Sequence, residues 1–140
     1  MFLPDINFWV ALSFDSHAHH LTAKTWFASL TGATCFFCRY TQRGFLRLAN
    51  NPRAFPANAV WQPEAWRLYD VMMSDPLISF VQEPANVESF WRRHTQAQRF
   101  SHNMWNDAYL AAFAEAANLE LVTFDQGFRQ FNLPKCTILP

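Results

Sequence analysis

Five short apolar runs, at 2–5, 33–37, 77–81, 121–124 and 136–139, alternate along the chain with stretches of helical periodicity. Strands separated by helices pair in parallel through right-handed crossovers, and a sheet built that way has to be covered by helices. The expectation is therefore an α/β fold: a central, mostly parallel five-stranded sheet flanked by helices in three layers. The helical stretches are 7–14, 17–30, 39–49, 63–73, 86–96 and 104–117, with a short one capped by Asp125 and ending at 131. Ser16 is placed to cap the second helix and Gly32 to end it. Asn50-Asn51-Pro52 stops the third, Pro63 suits the first position of the fourth, and Asp75-Pro76 breaks it. Residues 52–62, with two prolines, form the one real loop. The 140 residues suffice for one domain spanning 1–140.

Composition narrows the functional classes. At 51% hydrophobic the chain is too apolar for disorder, yet it has no run of 18 apolar residues to span a membrane. The opening Met-Phe-Leu-Pro-Asp has no basic segment, so a signal peptide is not expected there. Three cysteines make no disulfide framework, so a cytoplasmic protein is expected. Charged residues are only 16% against 17% aromatic, which fits either a surface covered by a partner chain or a Phe-rich core. Net charge is zero, so no global basic field points to nucleic acid. Nine of the 11 basic residues are nonetheless arginine, and Arg39, Arg43 and Arg47 share one helix face. That face is either a phosphate track or simply solvated.

Parallel sheets carry their functional groups just past the carboxyl ends of the strands. Asp5 ends the first strand, Asp125 follows the fourth, and Asp107 sits in the first turn of the Ala-rich helix 104–117. Any one of them reads as a cap. Three carboxylates at one edge repel each other, and a cation is the usual reason a fold keeps them together. Mg²⁺ suits such a site because it takes oxygen ligands, few of them from protein, and keeps its waters. Three other patterns have structural readings. His17, His19 and His20 are expected to form a solvated helix end. Cys35 and Cys38 fall on opposite faces of a strand and belong to core packing. Trp61, Trp66, Phe90, Trp91 and Trp105 recur at helical spacing as core or interface residues, with Trp105 bordering the acids.

Four segments resemble the PIN-domain ribonucleases, and within them the VapC-type toxins of bacterial toxin–antitoxin pairs. They are Phe2-Leu3-Pro4-Asp5-Ile6-Asn7; Thr41-Gln42-Arg43-Gly44-Phe45-Leu46-Arg47 with Asn51-Pro52; Trp105-Asn106-Asp107-Ala108-Tyr109-Leu110-Ala111-Ala112; and Leu121-Val122-Thr123-Phe124-Asp125-Gln126-Gly127-Phe128. The resemblance implies a PIN-like fold and a Mg²⁺-dependent endoribonuclease (Mn²⁺ serving in its place) held by Asp5, Asp107 and Asp125. Asn7 would orient the Asp5 carboxylate and Thr123 would support Asp125, with Asn106 also in a supporting role and Arg43 and Trp105 touching RNA. It also implies a VapB-type antitoxin, a homodimer and no membrane association. Gln42 stands where the family usually has Glu; its amide can orient water or ligate but brings no charge, which weakens the case for a second metal. The alternative is a catalytically weak PIN module that binds RNA or acts as a scaffold.

Overall fold

In the computed structural model, which describes residues 1–98 and 100–140, the five runs form β1 (Phe2–Pro4), β2 (Cys35–Phe37), β3 (Ile78–Phe80), β4 (Glu120–Thr123) and β5 (Cys136–Ile138). The helices are α1 (Ile6–Ser13), α2 (His20–Ala28), α3 (Arg39–Ala49), α4 (Gln62–Met73), α5 (Val87–His94) and α6 (Met104–Ala116), and a 3-10 helix covers Gln126–Phe131. The sheet order is β3-β2-β1-β4-β5 with every neighbouring pair parallel. The expectation of a mostly parallel sheet is met in full.

Side chains alternate across the strands, so the sheet separates two apolar layers. Phe8, Trp9, Phe37, Phe45 and Tyr69 pack on one face beneath α1 to α4. Leu3, Leu110, Phe113, Leu121 and Phe128 pack on the other beneath α5, α6 and the 3-10 helix. Cys35 lies in the first layer and Cys38 in the second, both buried and free, and burial raises both thiols above their ordinary range. Cys38 also starts α3: its N–H donates to Thr41 Oγ1 at 3.0 Å, a reciprocal cap that accounts for Thr41 being buried. The many phenylalanines thus fill two cores, each buried aromatic side chain contributing about 1.5–3 kcal/mol.

Two close approaches shape the molecule near the sheet edge. Gly44 lets α3 rest against α1, since a Cβ there would stand 2.2 Å from Ile6 Cδ1 and 2.5 Å from its Cγ1. Gly32 has a φ of +69°, a left-handed turn leading into β2. It does not end α2, which closes at Ala28 with Ser29 as its C-terminal cap. Ser16 is not a cap either; α2 begins only at His20, and the Ser16 hydroxyl accepts from Asn58 Nδ2 at 2.8 Å, fastening the loop after α3. The aromatic stripe departs from the expectation as well. Trp61, which precedes α4, is exposed, and so are Trp66 and Trp105, each on a helix face turned from both cores, whereas Phe90 and Trp91 pack against the second core.

Candidate active site

β1 and β4 are neighbours, and the chain leaves them toward opposite faces of the sheet. After β1 it enters α1 over the first core; after β4 it enters the 3-10 helix over the second. Such a divergence opens a crevice at the strand ends, the place where parallel sheets bind ligands. Asp5 and Asp125 lie on its two lips.

Asp5 has three attachments. Its backbone N–H donates to Val122 O at 2.8 Å, continuing the parallel ladder. One carboxylate oxygen accepts from Ile6 N–H at 2.5 Å, capping α1, and the other accepts from Thr123 Oγ1 at 3.0 Å. The side chain is only 7% exposed, and burial lifts its pKa to about 6, with the charges of Asp107 and Asp125 adding to the rise against these two hydrogen bonds. Asp107, in the first turn of α6, is also held above the ordinary carboxylate range, first by burial and then by Asp125. Asp125 caps the 3-10 helix, its Oδ1 accepting from Gly127 N–H at 2.7 Å.

Thr123 ties two of these acids together. Fully buried, it donates to Asp5 Oδ2 and accepts from Asp125 N–H at 3.0 Å, so one hydroxyl sets both lips of the crevice. Replacing it with Val keeps the shape and removes both bonds. If Asp5 holds a cation for RNA cleavage, as the resemblance implies, Thr123→Val is expected to lower cleavage by about 10–100-fold, the usual loss when a partner of a metal ligand is removed. Steady-state cleavage of a labelled RNA by folded parent and variant checks this, and equal rates would show the hydroxyl to be dispensable.

The remaining expected site residues divide. Asn106, Tyr40, Arg43 and Arg47 line a cleft of about 580 Å³ together with Ile6, next to the acids. Tyr40 was not anticipated from sequence, yet burial and the charges of Asp5 and Asp107 push its hydroxyl up to about 12. The only signal for it was its position in the first turn of α3, at helix spacing from Arg43 and Arg47. Asn7 does not orient Asp5: it is exposed, and Ile6 N–H and Thr123 hold that carboxylate. Gln42 also points elsewhere. Its amide oxygen accepts from Arg39, and it hydrogen-bonds Tyr69 of α4, because residue 42 lies on the side of α3 that faces α4 rather than the Tyr40–Arg43–Arg47 side. The histidines are packed rather than solvated: His19 stacks on Phe124 at 4.4 Å between ring centroids, and His20 Nδ1 lies 2.8 Å from Ala11 O.

Among the described residues, no three His, Cys, Asp or Glu side chains close into a ready metal cage. The donor set still fits a hydrated Mg²⁺, which needs one or two carboxylates and completes its shell with water. Two carboxylates destabilised in their charged forms by burial and by neighbouring acids (Asp107 and Asp125 for Asp5, Asp125 for Asp107) support the fit.

A parallel sheet with acids past β1 and β4 and at the start of α6 defines a PIN domain; the model of that family matches residues 2–133, and the chain belongs to it. Within the family it resembles the VapC type. It is 36% identical over 136 residues to ribonuclease VapC41 of Mycobacterium tuberculosis strain H37Rv, covering 94% of this chain and 93% of that protein. It is 30% identical to ribonuclease VapC38 of the same strain, covering 91% and 86%. Among solved structures, M. tuberculosis VapC20, a sarcin-ricin loop cleaving toxin, superposes with a TM-score of 0.71 at 16% identity over 100% of both chains. VapBC2 of Rickettsia felis, bound to a DNA fragment from its promoter, gives 0.70 at 13% identity over 99% of this chain and 98% of that one. At these identities the last two speak for the fold alone.

Proposed function

We propose that the chain is a single PIN domain over 1–140 that hydrolyses RNA phosphodiester bonds with Mg²⁺ (or Mn²⁺), acting in the cytoplasm as a toxin that a VapB-type antitoxin neutralises. The observation that carries the reading is buried Asp5 joined through the Thr123 hydroxyl to the Asp125 lip of the crevice, in a chain 36% identical to a ribonuclease. Among the described residues, no helix is long and apolar enough to cross a membrane.

Asp5 and Asp107 would hold the cation. When bound, it offsets charge on the scissile phosphate and favours attack by water. Thr123 keeps the Asp5 carboxylate fixed in the crevice, and Asp125, anchored by Gly127 N–H, is the group positioned to orient the attacking water. Tyr40, which stays protonated at neutral pH, would donate to a phosphate oxygen, and Arg43 and Arg47 in the same cleft would hold the flanking phosphates.

One observation favours the alternative of a weak or inactive RNA-binding module: Gln42 replaces a charge with an amide that is held by Arg39. Asp107→Asn separates the two readings. It is expected to reduce both calorimetric Mg²⁺ affinity and RNA cleavage by at least about 10-fold, since losing a neighbouring charge is worth on the order of 1–4 kcal/mol. A parent that neither binds Mg²⁺ nor cuts RNA would favour the alternative module.

A further inference from the structure

We propose that a pocket between α5 and α6 receives one unpaired nucleobase of the RNA, stacked on Trp105 with its edge against Trp91, next to the phosphate to be cut. This rests on the ribonuclease reading and names how that site grips its substrate.

The pocket has a volume of about 690 Å³, and Trp91, Trp105, Tyr109 and Glu83 are among the residues that line it. Trp91 stands edge-on to Trp105 (centroids 6.1 Å apart, planes at 86°) and to Tyr109 (5.3 Å, 77°). The corner so formed offers a flat face and a perpendicular wall. Trp105 is 55% exposed, so its ring is open to a guest. The Trp91 indole N–H is already bound to Trp105 O at 3.1 Å, which fixes the corner and leaves ring faces rather than donors for binding.

The pocket is continuous with the arginine cleft beside Ile6, the residue that follows Asp5. A smaller cavity of about 300 Å³ shares Glu83, Trp91 and Tyr109 with it, and shares Tyr40, Arg43 and Asn106 with the cleft beside Ile6. A single trough therefore runs from Arg47 past Asn106 to Trp105, and Trp105, Asn106 and Asp107 are consecutive on one helical turn. Arginines on one wall suit phosphates, and aromatics at the far end suit a base; single-stranded RNA is gripped by that combination.

A basic side chain of a protein is the competing guest, since Glu83 and Glu88 line the same pocket. Both carboxylates are already partnered. Glu88 Oε1 accepts twice from Arg92, at 2.8 and 2.6 Å, and Glu83 accepts from the Tyr109 hydroxyl. The Arg92 guanidinium offsets the Glu88 charge, so of the two Glu83 is the carboxylate with charge and an acceptor left for a guest. The free oxygen of Glu83 suits an N–H on a base edge. Guanine, with two adjacent N–H groups, is favoured there over uracil with one.

The test is fluorescence anisotropy of labelled single-stranded oligoribonucleotides on the whole chain in EDTA, where no cleavage intervenes. Trp105→Ala is expected to weaken binding about 5- to 150-fold, the loss of one stacked base at about 1–3 kcal/mol, and Trp105→Phe to restore most of it. An abasic nucleotide at one position should weaken the parent equally and cost Trp105→Ala nothing more. Substituting uracil for guanine at that position should weaken binding to the parent and not to Glu83→Gln. Trp105→Ala binding as tightly as the parent, or abasic losses adding in full to the variant, would overturn the subsite. So would binding of an arginine-rich peptide that depends on Trp105 while RNA binding does not. Cleavage by the parent in Mg²⁺ on the same RNAs reports separately on the ribonuclease reading.

Discussion

Asp5→Asn is expected to stop RNA cleavage and, in the same protein, to raise stability above neutral pH when divalent cations are withheld. The loss of cleavage should exceed about 100-fold, more than removing a supporting partner of a metal ligand costs. The gain in stability follows from the buried carboxyl. Its pKa of about 6 in the fold lies above its ordinary 3.8, so the folded chain holds the Asp5 proton more tightly than the unfolded chain. Between those values stability falls as pH rises, and above the folded value the whole penalty is present, on the order of 3 kcal/mol at 1.36 kcal/mol per pH unit. Asparagine carries no such charge, and its side-chain oxygen can still accept from Ile6 N–H while its amide donates to Thr123. Thermal unfolding in EDTA at pH 5 and pH 8 checks the idea: the parent should lose stability between the two, the variant much less. Mg²⁺ should then stabilise the parent and leave the variant unmoved. A variant less stable than the parent at pH 8 would show that Asp5 is not held in an unfavourable ionised state.

Phe37→Ala is expected to cost about 3–5 kcal/mol, the range for removing a buried aromatic side chain from a core. Phe37 is fully buried, stacked on Trp9 with centroids 3.8 Å apart, and meets Phe45 and Tyr69 edge-on. It therefore joins α1, α3 and α4 to β2. Domains of this size are stable by only about 5–15 kcal/mol, so the variant should unfold at markedly lower urea. Phe100→Ala serves as the control, because that side chain is fully exposed and its loss should stay within about 0.5 kcal/mol. Similar midpoints for both variants would contradict the packing described for the first core.

Much of this architecture was legible because the physics involved is local or periodic. The alternation of apolar runs with helices gave the parallel sheet, and α3 runs over 39–49 as its spacing predicts. Asp5 and Asp125 could be placed at one edge because strand ends are visible in sequence, and Asp107 because α6 has strong helix propensity. What could not be read depends on which way a side chain turns once helices meet. Gln42 aligned with a family acid, but contact with α4 draws it to Arg39 and Tyr69. Thr123 was assigned to support Asp125; its second bond, to Asp5, depends on β1 lying beside β4, a pairing between residues 118 positions apart. Ser16 looked like a cap until a loop 42 residues away claimed its hydroxyl. The exposed tryptophans had the spacing of core residues, and periodicity alone does not say which stripe of a helix meets the sheet.

The missing side chain at Gly44 has a consequence for how such a molecule changes over generations. Arg43 and Arg47 ride on α3, whose distance from α1 is set by the Ile6 contact at that glycine. The gauge of the trough is thus controlled by a packing position that has no side chain and carries no charge. A methyl group at 44, or a smaller residue at 6, would re-space the phosphate wall against the acids while leaving all three aspartates in place. Where this cleft holds RNA, substrate choice can therefore shift through substitutions that an inspection of the reactive groups would score as silent.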